Sequence, residues 1–165
     1  MRTEALRVPA QMGLVALAAY AGGSQFTRLF HEASAAVGSL WAVIAGLLVL
    51  QASRVGTWSA AGRHLVSSVV GVIVSTVVLA ALPFGALGIA AAVLAAALFC
   101  QATGFPDQAK VAAITVVVMM VLASLHSTLP PLLSAGLRLS ESCIGAAMAV
   151  LVALAWPEPA RPRPP

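Results

Sequence analysis

The sequence predicts an all-α integral membrane protein, with six transmembrane helices arranged as two inverted three-helix repeats. Three observations predict this class: the composition, the spacing of apolar runs and an internal similarity. Hydrophobic residues make up 61% of the 165 residues and charged residues only 8%, with a mean hydropathy of +1.00, whereas soluble domains carry about 25% charged residues. Because hydrocarbon cannot satisfy an open backbone, the apolar runs are expected to be helices.

Six apolar segments follow one another along the chain. The expected spans are residues 10–30, 40–52, 65–82, 86–102, 111–129 and 143–156. A loop is expected at 31–39 and a polar elbow at 53–64, and the second span is short for a bilayer core of about 30 Å. Pro130 and Pro131 are expected to break the fifth helix, because proline removes a backbone donor. Residues 132–142 are then expected to precede the sixth span.

The sequence predicts the surroundings of one tryptophan and of both cysteines in these segments. Trp41, near the start of the second span, is expected at a membrane interface, where tryptophan is enriched. Cys100 and Cys143 both lie within apolar runs. They are interpreted as small core residues and not as a disulfide or metal pair.

The basic residues predict the orientation of the chain. The expected organisation is a cytoplasmic lead at 1–9, a transmembrane domain at 10–156 and a disordered, proline-rich cytoplasmic tail at 157–165. With six spans, seven basic residues lie on the side of the termini (Arg2, Arg7, Arg54, Arg63, Lys110, Arg161 and Arg163), against two on the other (Arg28 and Arg138). The positive-inside rule therefore predicts cytoplasmic termini, in the cell inner membrane. A cleavable signal peptide ending near 19–21 is the alternative for the first segment.

An internal similarity appears when the chain is shifted by 74 residues against itself. Residues 61–83 then align with 135–157, and eight of 23 positions are identical, where a composition this biased would yield about two or three. A repeat of three helices is odd in number, so its second copy must be inverted in the membrane. Inverted repeats are typical of transporters. The alternative is that alanine- and glycine-rich helices resemble one another.

Several short motifs resemble those of the fusaric acid resistance and aromatic acid exporter family. They are Trp41-Ala42, the run Val49-Leu50-Gln51-Ala52-Ser53, Arg63, approximately Gly71, and a closing pattern of Arg138, Glu141, Ile144-Gly145 and Trp156-Pro157. Ala52 departs from the family's proline, and Val66-Ser67 from its Gly-Thr. The resemblance implies a six-helix module that works as a homo-oligomer, most simply a dimer. It also implies proton-coupled export of weak organic acids; related plant proteins conduct organic anions.

Three residues between the second and third spans are candidates for substrate binding: Arg54, Arg63 and His64. Arginine matches a carboxylate in a two-point fork, and we interpret these residues as offering positive charge at the cytoplasmic mouth. The alternative is that the arginines only set the topology.

Three further residues are candidates for proton coupling. Arg138 and Glu141 are spaced (i, i+3) and can touch on one helix face; they form either a structural clamp or part of an ion path. His126 could relay a proton, or simply be bonded to a neighbouring serine.

The function predicted is export of small organic, possibly aromatic carboxylic, acids, driven by the proton gradient. The alternatives are an organic-anion channel and a non-transporting membrane subunit that needs a partner chain. The expected partners are the lipid bilayer, small organic anions and further copies of the chain. The sequence has no nucleotide-binding loop, metal-ligand spacing or nucleophile–base arrangement, so an enzyme, a cofactor and a metal are not expected. Without a basic face carrying aromatic residues, neither is nucleic-acid binding.

Overall fold

A computed structural model describes residues 6–125 and 130–156, and every regular element in these ranges is helical. The all-α prediction is therefore confirmed. The long helices are α1 (Arg7–Phe30), α2 (Ala35–Val49), α3 (Arg54–Ala81), α4 (Ala86–Ala102), α5 (Ala109–Leu125) and α6 (Pro131–Ala155). Two 3₁₀ turns, Glu32–Ser34 and Pro106–Gln108, immediately precede α2 and α5.

Local chemistry accounts for several helix ends. The Ser53 hydroxyl caps α3 by accepting a hydrogen bond from the Gly56 amide at 3.0 Å, as N-cap serines do. Gly104, just after α4, has a φ of +81°, which glycine adopts without steric cost. Pro131 is the first residue of α6, a position where its missing N–H has no intrahelical partner to lose.

Three boundaries differ from the sequence prediction. The polar elbow at 53–64 was wrong, because α3 begins at Arg54 and continues without a break to Ala81. The loop at 31–39 is mostly wrong, since α2 begins at Ala35, and residues 132–142 belong to α6. Hydropathy measures how well the side chains of a segment suit lipid. A helix can extend beyond an apolar segment, because it continues for as long as its backbone hydrogen bonds are made. Some polar residues in these stretches, among them Thr57, His64 and Ser142, are buried in the bundles instead of ending their own helices.

Among the described residues, four helical segments are long and apolar enough to cross a membrane: Glu32–Val49, Arg54–Ala81, Pro106–Leu125 and Leu132–Ala155. The helix Ala86–Ala102 is apolar but shorter. The first helix has 24 residues but contains Gln11, Gln25 and Arg28, and it is not among the four. The chain is thus a multi-pass membrane protein by its helices, and the sixfold crossing remains a prediction.

The six helices form two three-helix bundles. In the first bundle α1, α2 and α6 all pack against one another, and in the second α3, α4 and α5 do so. The bundles meet mainly where α3 packs against α6. One apolar cluster joins Val15, Val49 and Ala149 of the first bundle to Ala61 of α3, and a second joins α4 and α5. Each half of the chain therefore contributes its last helix to the bundle of the other half.

The 74-residue shift also relates structural elements. It carries the first 3₁₀ turn, residues 32–34, onto the second, residues 106–108. It carries the start of α2 at residue 35 onto the start of α5 at 109, and the end of α3 at 81 onto the end of α6 at 155. The packing partners correspond in the same way. Helix α1 contacts α2 and α6, and its counterpart α4 contacts their counterparts α5 and α3.

Candidate functional site

A buried ion pair lies on α6. Arg138 Nη1 is 2.7 Å from Glu141 Oε2, and the side chains are 3% and 0% exposed. The Thr27 hydroxyl, near the end of α1, donates to Glu141 Oε1 at 2.6 Å. We call Thr27, Arg138 and Glu141 the Glu141 cluster. Within the described residues, this is the one ion pair closer than 4 Å.

The start of α2 completes the surroundings of this cluster. A Cβ atom at Gly38 would lie 2.5 Å from Glu141 Oε1 and would clash with the Thr27 hydroxyl, so glycine makes room for their hydrogen bond. One turn further on, Trp41 Nε1 donates to the Ser142 hydroxyl at 2.9 Å. Trp41 is buried, and its indole N–H finds a partner inside the bundle. Its predicted depth at a membrane interface stays a prediction.

Burying these charges has a physical consequence. The Arg138 Nε makes no hydrogen bond within the part of the chain that the structure describes. The pair's mutual attraction must therefore offset most of the cost of removing both charges from water. Protonation of Glu141 would remove that attraction and leave Arg138 buried with an unbalanced charge. The Glu141 cluster thus combines an ion pair within α6 and a hydrogen bond from α1 on one buried carboxylate.

A small polar pocket lies between α3 and the second 3₁₀ turn. It has a volume of about 160 Å³, and its polar lining consists of Gln51, Arg63, His64, Asp107 and Gln108. Arg63 and Asp107 are exposed at its rim, whereas His64 and Gln108 are buried. We call this the His64 pocket. It brings together Arg63 and His64, two of the three residues predicted to bind substrate.

The buried side of the His64 pocket has unused hydrogen-bonding capacity. His64 is 5% exposed, and neither ring nitrogen has a partner among the described residues. Gln108 is held in place by Ser67, whose hydroxyl is 2.9 Å from Gln108 Oε1. Buried polar groups are normally paired, so a histidine of this kind beside a polar space is suited to binding a ligand or solvent.

Arg54 lies at a different place from Arg63 and His64. Its Nη2 donates to the Trp156 carbonyl at 2.7 Å and its Nε to the Ala153 carbonyl at 3.2 Å. The last carbonyls of a helix lack intrahelical donors and carry partial negative charge. Arg54 therefore caps the C-terminus of α6 and ties it to the start of α3.

Replacing Arg54 by alanine is expected to lower the free energy of unfolding by about 1–3 kcal/mol, because two charge-assisted hydrogen bonds are lost. The substrate concentration that half-saturates transport should stay unchanged. Thermal unfolding of the purified protein in detergent and transport assays measure the two effects. A large change in that concentration with normal stability would instead support the predicted role of Arg54 in substrate binding.

Other predicted features can be placed more briefly. His126 lies outside the described residues. Cys100 is buried as expected, but Cys143 is exposed, and both are free thiols. No group of three or more His, Cys, Asp and Glu side chains within residues 6–125 and 130–156 is arranged to hold a metal ion.

Sequence reasoning missed four residues of these two sites. Thr27 and Gly38 carry no local signal, because their role depends on contacts with α6. Asp107 and Gln108 lie between two expected spans, and nothing adjacent to them in sequence indicates a site. The 74-residue shift could have drawn attention to residues 106–108, since it aligns them with residues 32–34, just before α2.

Two polar sites within bundles of apolar helices are typical of a multi-pass membrane protein that handles polar or charged species. Residues 14–152 match the profile of the family described as fusaric acid resistance protein-like. The chain belongs to this family, as its sequence motifs indicated. No curated protein and no solved structure gave a significant match. This is a family of membrane transporters and not of enzymes. Membership of the family therefore indicates a role in membrane transport or efflux for this chain.

Proposed function

We propose that the protein exports small organic acids, aromatic carboxylic acids among them, using the proton gradient across the cell inner membrane. The observation that carries this proposal is the His64 pocket, where an exposed arginine stands beside a buried histidine with no partner in the described chain. The guanidinium of Arg63 can receive a carboxylate by two parallel hydrogen bonds. The ring nitrogens of His64 can then complete the shell of the bound anion.

The proposed topology has all six helices crossing the membrane as two inverted repeats, with both termini cytoplasmic. Three features support it: the repeat of the 3₁₀ turns, the exchanged packing of α3 and α6, and the basic residues at one end. In this topology the His64 pocket faces the cytoplasm, because Gln51 follows α2 and Asp107 precedes α5. That is the side from which an exporter must load its substrate.

We propose that Glu141 is the coupling group. Its carboxylate accepts a hydrogen bond from Thr27 of α1 and pairs with Arg138 on its own helix. A proton that neutralises it weakens the charge-assisted bond to α1 and removes the counter-charge of Arg138. Inverted repeats alternate access by movement of one half against the other. A proton on Glu141 would shift the balance between the two arrangements. The resemblance of the motifs to the family also supports a homo-oligomer, most simply a dimer, as the working form.

Efflux of labelled benzoate from proteoliposomes that contain only this chain tests the proposal. We expect efflux that accelerates when a proton gradient is imposed and that exceeds, under the same gradient, the passive leak of benzoic acid from empty liposomes. Flux that does not change when the proton gradient is imposed would instead identify an anion channel. Absence of flux from folded, inserted protein would favour a subunit that needs a partner chain.

The variant Arg63→Gln tests the substrate site directly. We expect the substrate concentration that half-saturates transport to rise by about tenfold, as loss of a charge-assisted pair implies. Arg28→Gln is the matched control, because Arg28 is also an exposed arginine on a long helix but does not line the pocket. If both variants transport like the unchanged protein, Arg63 serves topology alone.

A further inference from the structure

The His64 pocket contains a negative charge that substrate binding does not require. Asp107 is the middle residue of the second 3₁₀ turn, and its exposed side chain lines the pocket with Arg63 and His64. No Lys, Arg or His side chain of the described chain approaches it within 4 Å, since the one such pair is on α6. Lys110, three residues later, is also outside that distance. Asp107 therefore places a carboxylate at the rim with no basic partner within that distance in the described chain.

The size of the pocket makes this charge important for selection. The pocket is small, about 160 Å³, and Asp107 shares its lining with Arg63 and His64. A ligand whose first carboxylate lies on Arg63 and His64 brings a second carboxylate to a pocket that Asp107 also lines. Two negative charges in so small a pocket repel each other appreciably near a protein surface, because screening by salt acts over about 8 Å.

We propose that Asp107 is a specificity-determining residue that restricts the transporter to monocarboxylic acids and rejects dicarboxylic acids of the same shape. This inference rests on the proposed function, since it names the class of acid that the same pocket accepts. The pocket provides one strong positive site, at Arg63, and one negative site, at Asp107. A monoanion needs only the positive site, whereas a dianion also brings a second negative charge to the pocket that Asp107 lines. Rejection of a competitor by repulsion is a common basis of specificity.

Terephthalate and 4-carbamoylbenzoate form a suitable pair of probes. They have nearly the same shape, and both carry one benzoate carboxylate, but the second group is charged in the former and neutral in the latter. In competition for efflux of labelled benzoate from proteoliposomes, we expect 4-carbamoylbenzoate to compete about tenfold better than terephthalate. The variant Asp107→Asn should bring the two inhibition constants within about twofold of each other. Asp107→Glu, which keeps the charge, should retain the difference.

Glu32→Gln is the matched control. Glu32 is exposed and belongs to the first 3₁₀ turn, the counterpart of the turn that holds Asp107, but it does not line the pocket. This variant loses the same charge and should keep the discrimination. Equal competition by the two probes in the unchanged protein, or an unchanged ratio in Asp107→Asn, would overturn this inference while leaving benzoate export in place. No benzoate efflux at all would overturn both the inference and the proposed function.

Discussion

Glu141→Gln is expected to abolish acceleration of efflux by the proton gradient and to lower the free energy of unfolding by about 3–5 kcal/mol. Glutamine can still accept a hydrogen bond from Thr27, but it leaves Arg138, which is 3% exposed, without a counter-charge. Breaking a buried pair by removing one partner is strongly destabilising for this reason. Thermal unfolding in detergent and gradient-driven flux in proteoliposomes measure the two effects.

The double variant Arg138→Met with Glu141→Leu separates a structural role from a coupling role. Replacing a buried ion pair by apolar residues of similar volume is often neutral or stabilising, so this protein should regain the stability that Glu141→Gln loses. It should still show no acceleration by the gradient, because no group at that position can take up a proton. Driven flux in a stable double variant would contradict the proposed coupling and make the Glu141 cluster a clamp between α1 and α6.

Gly145→Ala is expected to lower the free energy of unfolding by about 3 kcal/mol or more. A Cβ at Gly145 would clash with the Ala42 carbonyl oxygen and would lie 2.8 Å from the Gly46 nitrogen. These are backbone atoms of α2, so the two helices must separate, and overpacking of this kind typically costs about 1–3 kcal/mol even when side chains can yield. Unfolding in detergent and the yield of folded protein measure the effect.

Gly136→Ala, on the same helix, is the matched control. A Cβ there would meet nothing within 4 Å, so alanine should be neutral or should stabilise the helix by up to about 1 kcal/mol. The 74-residue shift provides a second, independent pair of variants, Gly71→Ala and Gly62→Ala. A Cβ at Gly71 would also clash with a neighbouring helix, whereas a Cβ at Gly62 would meet nothing within 4 Å. Similar stability of Gly145→Ala and Gly136→Ala would show that α2 and α6 pack less closely than described.

Much of the fold follows from composition and the spacing of apolar residues. Apolar runs of sufficient length must form helices in a membrane, and this requirement correctly predicts six long helices. The helix boundaries do not follow in the same way. Residues 54–64 are polar enough to suggest a loop, yet Thr57 and His64 are buried there. Their burial depends on helices distant in sequence, which a hydropathy average cannot represent.

The candidate sites were predictable where charges are adjacent in sequence. Arg63 and His64 line one pocket, and Arg138 and Glu141 form an ion pair at the spacing that helix geometry predicts. Thr27 was not predictable, because it is 114 residues from the carboxylate that it contacts. Arg54 resembles the other basic residues in sequence. Only the position of the end of α6 beside it reveals the carbonyl groups that it binds.

The exchange of α3 and α6 between the bundles affects how the protein is made. The indole of Trp41 and the hydroxyl of Thr27 find their partners 101 and 114 residues later in the chain. At a translation rate of about 5–20 residues per second, α1 and α2 wait roughly 5–20 s for α6 to be synthesised. During that interval the indole of Trp41 and the hydroxyl of Thr27 lack these partners. The bundle of α1, α2 and α6 can therefore be completed only after nearly the whole chain has been synthesised.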